Sequence, residues 1–246
     1  CIRDRIKGNR GVDFEELKWL QPGLSWSPDS KKIVFAAKAG KGDVLHVVEV
    51  ETGKGEKYEL DIEGVFSASW SPLGNEIAYV GQSGNSSDIY IFDLNSQISK
   101  KITDDIFSDA YPTWSGDGKN IAFVSDRGNK ISGEYDGFMY EHDYSQTDIY
   151  SVNVETKKID RVTNTNHNES HPVWSKTSDN IFYTSDHNGV WNLYRHPISG
   201  SEDSEPIPVT NVLTGLQQPT ISGDDRLLIF AGYSGIGWDL YSICLL

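Results

Sequence analysis

The sequence predicts an all-β fold, a β-propeller of four-stranded antiparallel blades, and three observations predict it. An anchor within a Ser-Trp-Ser-Pro-like pattern recurs at Trp26, Trp70, Trp114 and Trp174, with Ile221 in the same place in a fifth copy, at steps of 44, 44, 60 and 47 residues. A second marker, Asp or Asn before an apolar-aromatic pair, keeps step at Asp43, Asp88, Asp148, Asn192 and Asp239, which lie 17, 18, 34, 18 and 18 residues after the anchors. Between the markers lie short runs rich in β-branched and aromatic residues, with no helical period. A period in the forties built from short strands is what a four-stranded blade and its turns require.

Within a blade, turn residues separate the strands. Inner strand a holds the anchor and ends at a turn such as Pro28-Asp29-Ser30 or Gly116-Asp117-Gly118. Strand b follows in the copies Ile33 to Ala36, Ile77 to Val80, Ile121 to Val124, Ile181 to Thr184 and Leu228 to Ala231. Strand c begins at the second marker, and a hairpin such as Glu51-Thr52-Gly53-Lys54 leads into outer strand d, as in Lys101-Ile102-Thr103. The blades are expected at about 24–60, 67–103, 111–163, 171–210 and 218–246 of one propeller domain over 1–246. The fifth copy stops after strand c. Val12 to Leu17 stands as far before Trp26 as Lys57 to Leu60 stands before Trp70, so residues 12–17 are expected to complete the last blade and remove its open edge. The alternative is a piece of a longer protein with further blades.

The succession Trp114-Ser115-Gly116-Asp117-Gly118, Lys119-Asn120-Ile121-Ala122-Phe123, Asp148-Ile149-Tyr150 and an outer strand like Arg161-Val162-Thr163 resembles the TolB-type β-propeller repeat, from about Leu24 to Ile243. Proteins with this repeat include the propeller half of periplasmic TolB, the propeller domains of prolyl-oligopeptidase-like enzymes and segments of large bacterial envelope proteins. The resemblance implies a ring that presents surfaces to partner proteins, in a periplasmic or otherwise extracytoplasmic place. The hydrolase Gly-x-Ser-x-Gly elbow is absent from the sequence, so the expectation is a protein without catalytic residues.

Composition narrows the partners. Over 246 residues, 22 basic against 36 acidic side chains give a formal net charge of −14, without the basic stripes that phosphate binding needs, so nucleic acid is not an expected partner. No apolar run reaches the roughly 18 residues of a membrane span. Cys1 reads as the lipid-bearing residue of a mature lipoprotein or as a fragment boundary; a disulfide with Cys244 is geometrically conceivable should the chain ends meet, and free thiols are the expected state.

A residue found in every copy is best read as structural. The Trp anchors fit between blades, where each buries about 150–250 Å², and the repeated Asp residues fit as acceptors for backbone N–H groups. Departures from the repeat carry the functional expectation. Strand direction brings the d-to-a and b-to-c loops to one end of the blades, and both departures lie there. One is the third-blade insertion from Gly128 to Tyr144, where Tyr135, Phe138 and Tyr140 stand among acidic residues, a composition suited to a protein partner. The other is Asn166 to His171. His171 aligns with Gly23, Ser67, Tyr111 and Gln218, positions expected to line the channel mouth with Asp105, Asp109, Glu169 and Asp186 nearby. No cofactor is expected. The alternative function is a small-ligand or carbohydrate site at Tyr111, His171 and Gln218, with a channel-bound cation.

Overall fold

Runs of β-branched and aromatic residues bounded by Pro, Gly and Asp turns form antiparallel strands throughout the computed structural model, which describes residues 16–17, 23–39, 42–130, 141–177, 179–199 and 204–245. The first sheet contains β1 (Glu16–Leu17), β2 (Ser25–Trp26), β3 (Lys32–Ala39), β4 (Gly42–Glu49) and β5 (Gly55–Glu59), with β1 and β2 both on the inner edge of β3. The second has β6 (Gly64–Trp70), β7 (Glu76–Ser83), β8 (Ser86–Asp93) and β9 (Ile98–Lys101) in that order. The third has β10 (Asp109–Trp114), β11 (Asn120–Ser125), β12 (Asp148–Asn153) and β13 (Ile159–Arg161). The fourth has β14 (Glu169–Trp174), β15 (Asn180–Ser185), β16 (Asn192–Pro197) and β17 (Ile207–Pro208). The fifth has three strands, β18 (Leu216–Ile221), β19 (Leu227–Ser234) and β20 (Gly237–Cys244).

The chain divides into two compact units, Cys1–Asp105 with Asp109–Trp114 and Ile106–Ser108 with Ser115–Leu246. In the first, Val34, Ala36, Leu45 and Val47 of the first sheet pack against Val65, Trp70, Ile77 and Tyr79 of the second. In the second, Phe182 and Leu193 meet Leu216, Leu228 and Phe230. Both faces of the central strands are covered, so β7 and β11 read as continuous apolar runs rather than as alternating ones. Inner strands approach closely: a Cβ at Gly23 would lie 2.3 Å from the Ala68 nitrogen, which only glycine avoids.

Two expectations are corrected. Glu16 and Leu17 do not pair with the fifth sheet; they pair with Lys38 and Ala37 of β3. The reason lies in strand length. Ser25 and Trp26 of β2 reach only Val34 and Ile33, which leaves the far end of the β3 inner edge open to a second short strand. Residues 12–15 lie outside the described residues, and β20 is the outermost strand of the fifth sheet among those described. The Trp anchors also differ among themselves. Trp70, Trp114 and Trp174 are buried, whereas Trp26 is 52% exposed. Trp70 packs into the first-sheet cluster and Trp114 Nε1 donates to Ser69 O of the second sheet at 3.1 Å, so these anchors lean on the preceding sheet.

This difference yields an expected outcome: Trp114→Ala lowers unfolding free energy by about 3–5 kcal/mol, because a large cavity opens, while Trp26→Ala costs under about 1 kcal/mol. Urea midpoints of the two variants check it, and equal losses would contradict the assignment.

Candidate functional site

The second marker is a clamp between successive sheets. At the start of β4, Asp43 Oδ2 accepts the Val65 N–H of β6 at 3.0 Å. Asp88 Oδ1 accepts the Asp105 N–H at 3.4 Å, and Asn192 Oδ1 accepts the Val212 N–H at 2.8 Å. A threonine of the outer strand completes the arrangement: Thr103, Thr163 and Thr210 hydroxyls accept the N–H of Ile89, Ile149 and Leu193 at 2.8 to 2.9 Å. These contacts satisfy backbone donors that the loops leave without sheet partners.

The five aligned positions expected at the channel mouth share a backbone state. Gly23, Ser67, Tyr111, His171 and Gln218 have φ between 49° and 53°. Strand register slips around three of them, between Phe66 and Ser69, Ser170 and Val173, and Gln217 and Thr220. These three inner strands therefore bulge at this position, which re-aims the side chain. No local sequence preference announced this, since four of the five residues are not glycine.

The named site residues divide between the units. In the first, Asp109 is buried and its carbonyl accepts the Ser87 hydroxyl at 3.0 Å, while Asp105 gives its backbone N–H to Asp88. In the second, Gln218 is exposed and His171 is partly buried. Burial lowers the His171 imidazole to about 4, so the ring is neutral near pH 7. Asp186 caps the Asn168 N–H at 2.9 Å and lies 3.8 Å from His167 Nδ1, whose ring stands 4.6 Å from that of His187. Among the described residues, no group of three or more His, Cys, Asp or Glu is arranged to hold a metal ion. Tyr135, Phe138 and Tyr140 lie outside the described residues. Cys244 is an exposed free thiol, and Cys1 lies outside as well.

Glu169 is no mouth residue. It is 0% exposed and locked by hydroxyls: Thr165 donates to Oε1 at 2.6 Å and Thr163 to Oε2 at 3.0 Å. Asp148, whose charge acts on Glu169, is equally buried and carries Arg161 on Oδ2 at 2.6 Å. Burial, and then the charge of Asp148, push the Glu169 carboxyl up to about 8, so Glu169 holds the proton. Burial raises Asp148 too, against the Arg161 guanidinium. An acid held this way joins β12 and β13 to β14 and has no access to a substrate.

Sequence reasoning missed Arg127. This fully buried side chain stands over the rings of Phe107, Phe123 and Tyr150 at 5.8, 5.3 and 5.5 Å, with Nε donating to Ser125 Oγ at 3.0 Å. Around it the two ends of the third-blade insertion are pinned. Tyr150 OH donates to Gly128 O at 2.7 Å, and His142 packs on Phe107 with Nε2 3.5 Å from Asp126. The available signal was the Ser-Asp pair ending strand b at Ser125-Asp126 and again at Ser185-Asp186, followed by Arg127 in one copy and His187 in the other.

Antiparallel sheets of this order, with marker residues that hold the loops to the next sheet, are built like β-propeller blades. Residues 17–132 match the family model described as the TolB beta propeller domain. The fold is similar to TolB from Acinetobacter baumannii, at 20% identity and a TM-score of 0.71, covering 90% of this chain and 51% of that one. It is similar also to a protein assigned as TolB from Agrobacterium tumefaciens (20% identity, TM-score 0.68, 90% of this chain and 75% of that). An oligogalacturonate lyase in complex with manganese shares the fold at 15% identity and a TM-score of 0.62, over 91% of this chain and 64% of that one. The chain thus spans about half the length of the Acinetobacter protein. No curated protein sequence matches it significantly.

The buried acid pair sets a pH dependence. Unfolded Glu169 releases its proton near 4.5, whereas the folded protein keeps it to about 8, so the folded state binds the extra proton between those values. Stability is therefore expected to fall as pH rises through that window. Glu169→Gln, neutral at every pH, should flatten the slope and melt above the parent at pH 9. Thermal melts at pH 5, 7 and 9 check this, and parallel curves would refute it.

Proposed function

We propose that the chain acts as a non-catalytic protein-interaction propeller of a bacterial cell envelope. The blades hold a fixed frame, and the loops at the d-to-a and b-to-c end contact the partner. The observation that carries this reading is the rigid base of the third-blade insertion: Arg127, Tyr150 and His142 fix both flanks of a loop whose sequence holds Tyr135, Phe138 and Tyr140. Aromatic residues on a preordered base bind at small entropic cost. The likeness of residues 17–132 to the TolB beta propeller domain supports an extracytoplasmic setting.

The carbohydrate-active alternative lacks a comparable support. The carboxyl pair of the second unit is sealed from solvent, and glycoside chemistry needs two carboxyls open to one pocket about 5–10 Å apart.

Replacing Tyr135, Phe138 and Tyr140 together with serine tests the reading, since Arg127 and His142 remain to hold the base. Capture of partners from a bacterial envelope extract is expected to fall at least about tenfold with the melting temperature unchanged. Undiminished capture by the folded variant would move the contact elsewhere.

A further inference from the structure

At the opposite end of the strands, where the a-to-b turns and c-to-d hairpins lie, the first unit has a cleft of about 480 Å³ between its first and second sheets. Its floor is the apolar face of Trp70 and Leu94; the indole N–H is already given to Gly74 O at 3.0 Å. The corresponding seams in the second unit are shut. A Cβ at Gly116 would lie 2.7 Å from Lys176 O, and Asp225 accepts from Ser175 Oγ, Lys176 N, Thr177 N and Thr177 Oγ1 at 2.6 to 2.8 Å.

One residue at the cleft breaks the repeat. Three residues after the anchor the copies have Asp29, Leu73, Asp117, Thr177 and Asp224. The three aspartates bind the serine of their own turn at 2.6 to 2.7 Å, a contact that stabilises it. Leu73 abandons that contact and stands 65% exposed on the cleft wall. An apolar side chain in water at a position that otherwise takes a polar residue gains nothing in the free protein. Around it, the carboxamides of Asn75 and Asn95 have no hydrogen-bond partner among the described residues, and the Lys32 ammonium has no ion pair there. Asp29, on the same rim, is engaged by Ser27 Oγ and the Lys31 N–H.

We infer that this cleft binds an extended peptide segment of a partner protein, seating one leucine- or phenylalanine-sized side chain against Trp70 and Leu73, with Asn75 and Asn95 on the peptide backbone and Lys32 on an adjoining carboxylate. Side-chain amides pair with both donors and acceptors of an extended chain. The volume fits one large apolar residue with its neighbours. The site is independent of the third-blade surface, so either can fail without the other.

The test uses fluorescein-labelled hexapeptides carrying leucine or phenylalanine beside aspartate, a matched series with lysine for aspartate, and neutral oligosaccharides, titrated by fluorescence anisotropy at low salt. The aspartate series is expected to saturate and to bind about fivefold tighter than the lysine series, with Lys32→Glu reversing the order. Leu73→Asp restores the turn contact of the other copies, so it should melt no lower than the parent while binding falls at least about tenfold. Absence of saturable peptide binding, unchanged affinity in Leu73→Asp, or a preference for the oligosaccharides would overturn the inference.

Discussion

The structure depends on satisfying backbone donors at the joints between sheets. A blade can bury its central strands on both faces only if the loops that carry the chain to the next blade are themselves hydrogen-bonded, since an orphaned N–H there costs about as much as the joint gains. The carboxylate or amide at the head of strand c and the threonine at the end of strand d do this in successive copies, from Asp43 and Val65 to Asn192 and Val212. Apolar packing of Trp70, Trp114 and Trp174 is then possible because the polar atoms beneath have partners.

Much of the frame was legible in the sequence because it repeats. The anchors gave the period, the Pro-Asp and Gly-Asp-Gly turns gave the a-to-b corners, and the second marker accepts backbone N–H groups, as read, at Asp43 and Asp88. What stayed hidden depends on neighbours distant in the chain. Glu169 looked like a mouth residue because its loop is polar, whereas Thr163, Thr165 and Asp148 fold over it and exclude water. Arg127 was passed over because a single basic residue after a strand has no pattern, and only three converging aromatic rings show its role. Trp26 departs from the other anchors because its exposure is set by its surroundings, which the local pattern shared by the copies does not encode.

Variation on this frame follows a rule. The joints between blades are tied by hydrogen bonds such as that of Asp43 to Val65, and two departures from the repeat lie away from them. At one end is the third-blade insertion on its pinned flanks, and at the other is the turn where Leu73 replaces an aspartate. Both depart from the repeat without breaking a clamp. The buried proton of Glu169 is the opposite case, a departure inside a joint that makes the joint sensitive to its medium.

The bulged position of strand a limits what can be built there. A left-handed backbone excludes β-branched side chains on steric grounds, so valine, isoleucine and threonine are barred from five places at once. The chain uses Gly, Ser, Tyr, His and Gln at those places. Any redesign of these sites works from a restricted alphabet, rich in rings, amides and hydroxyls and poor in compact aliphatics, whatever molecule the redesign is meant to hold.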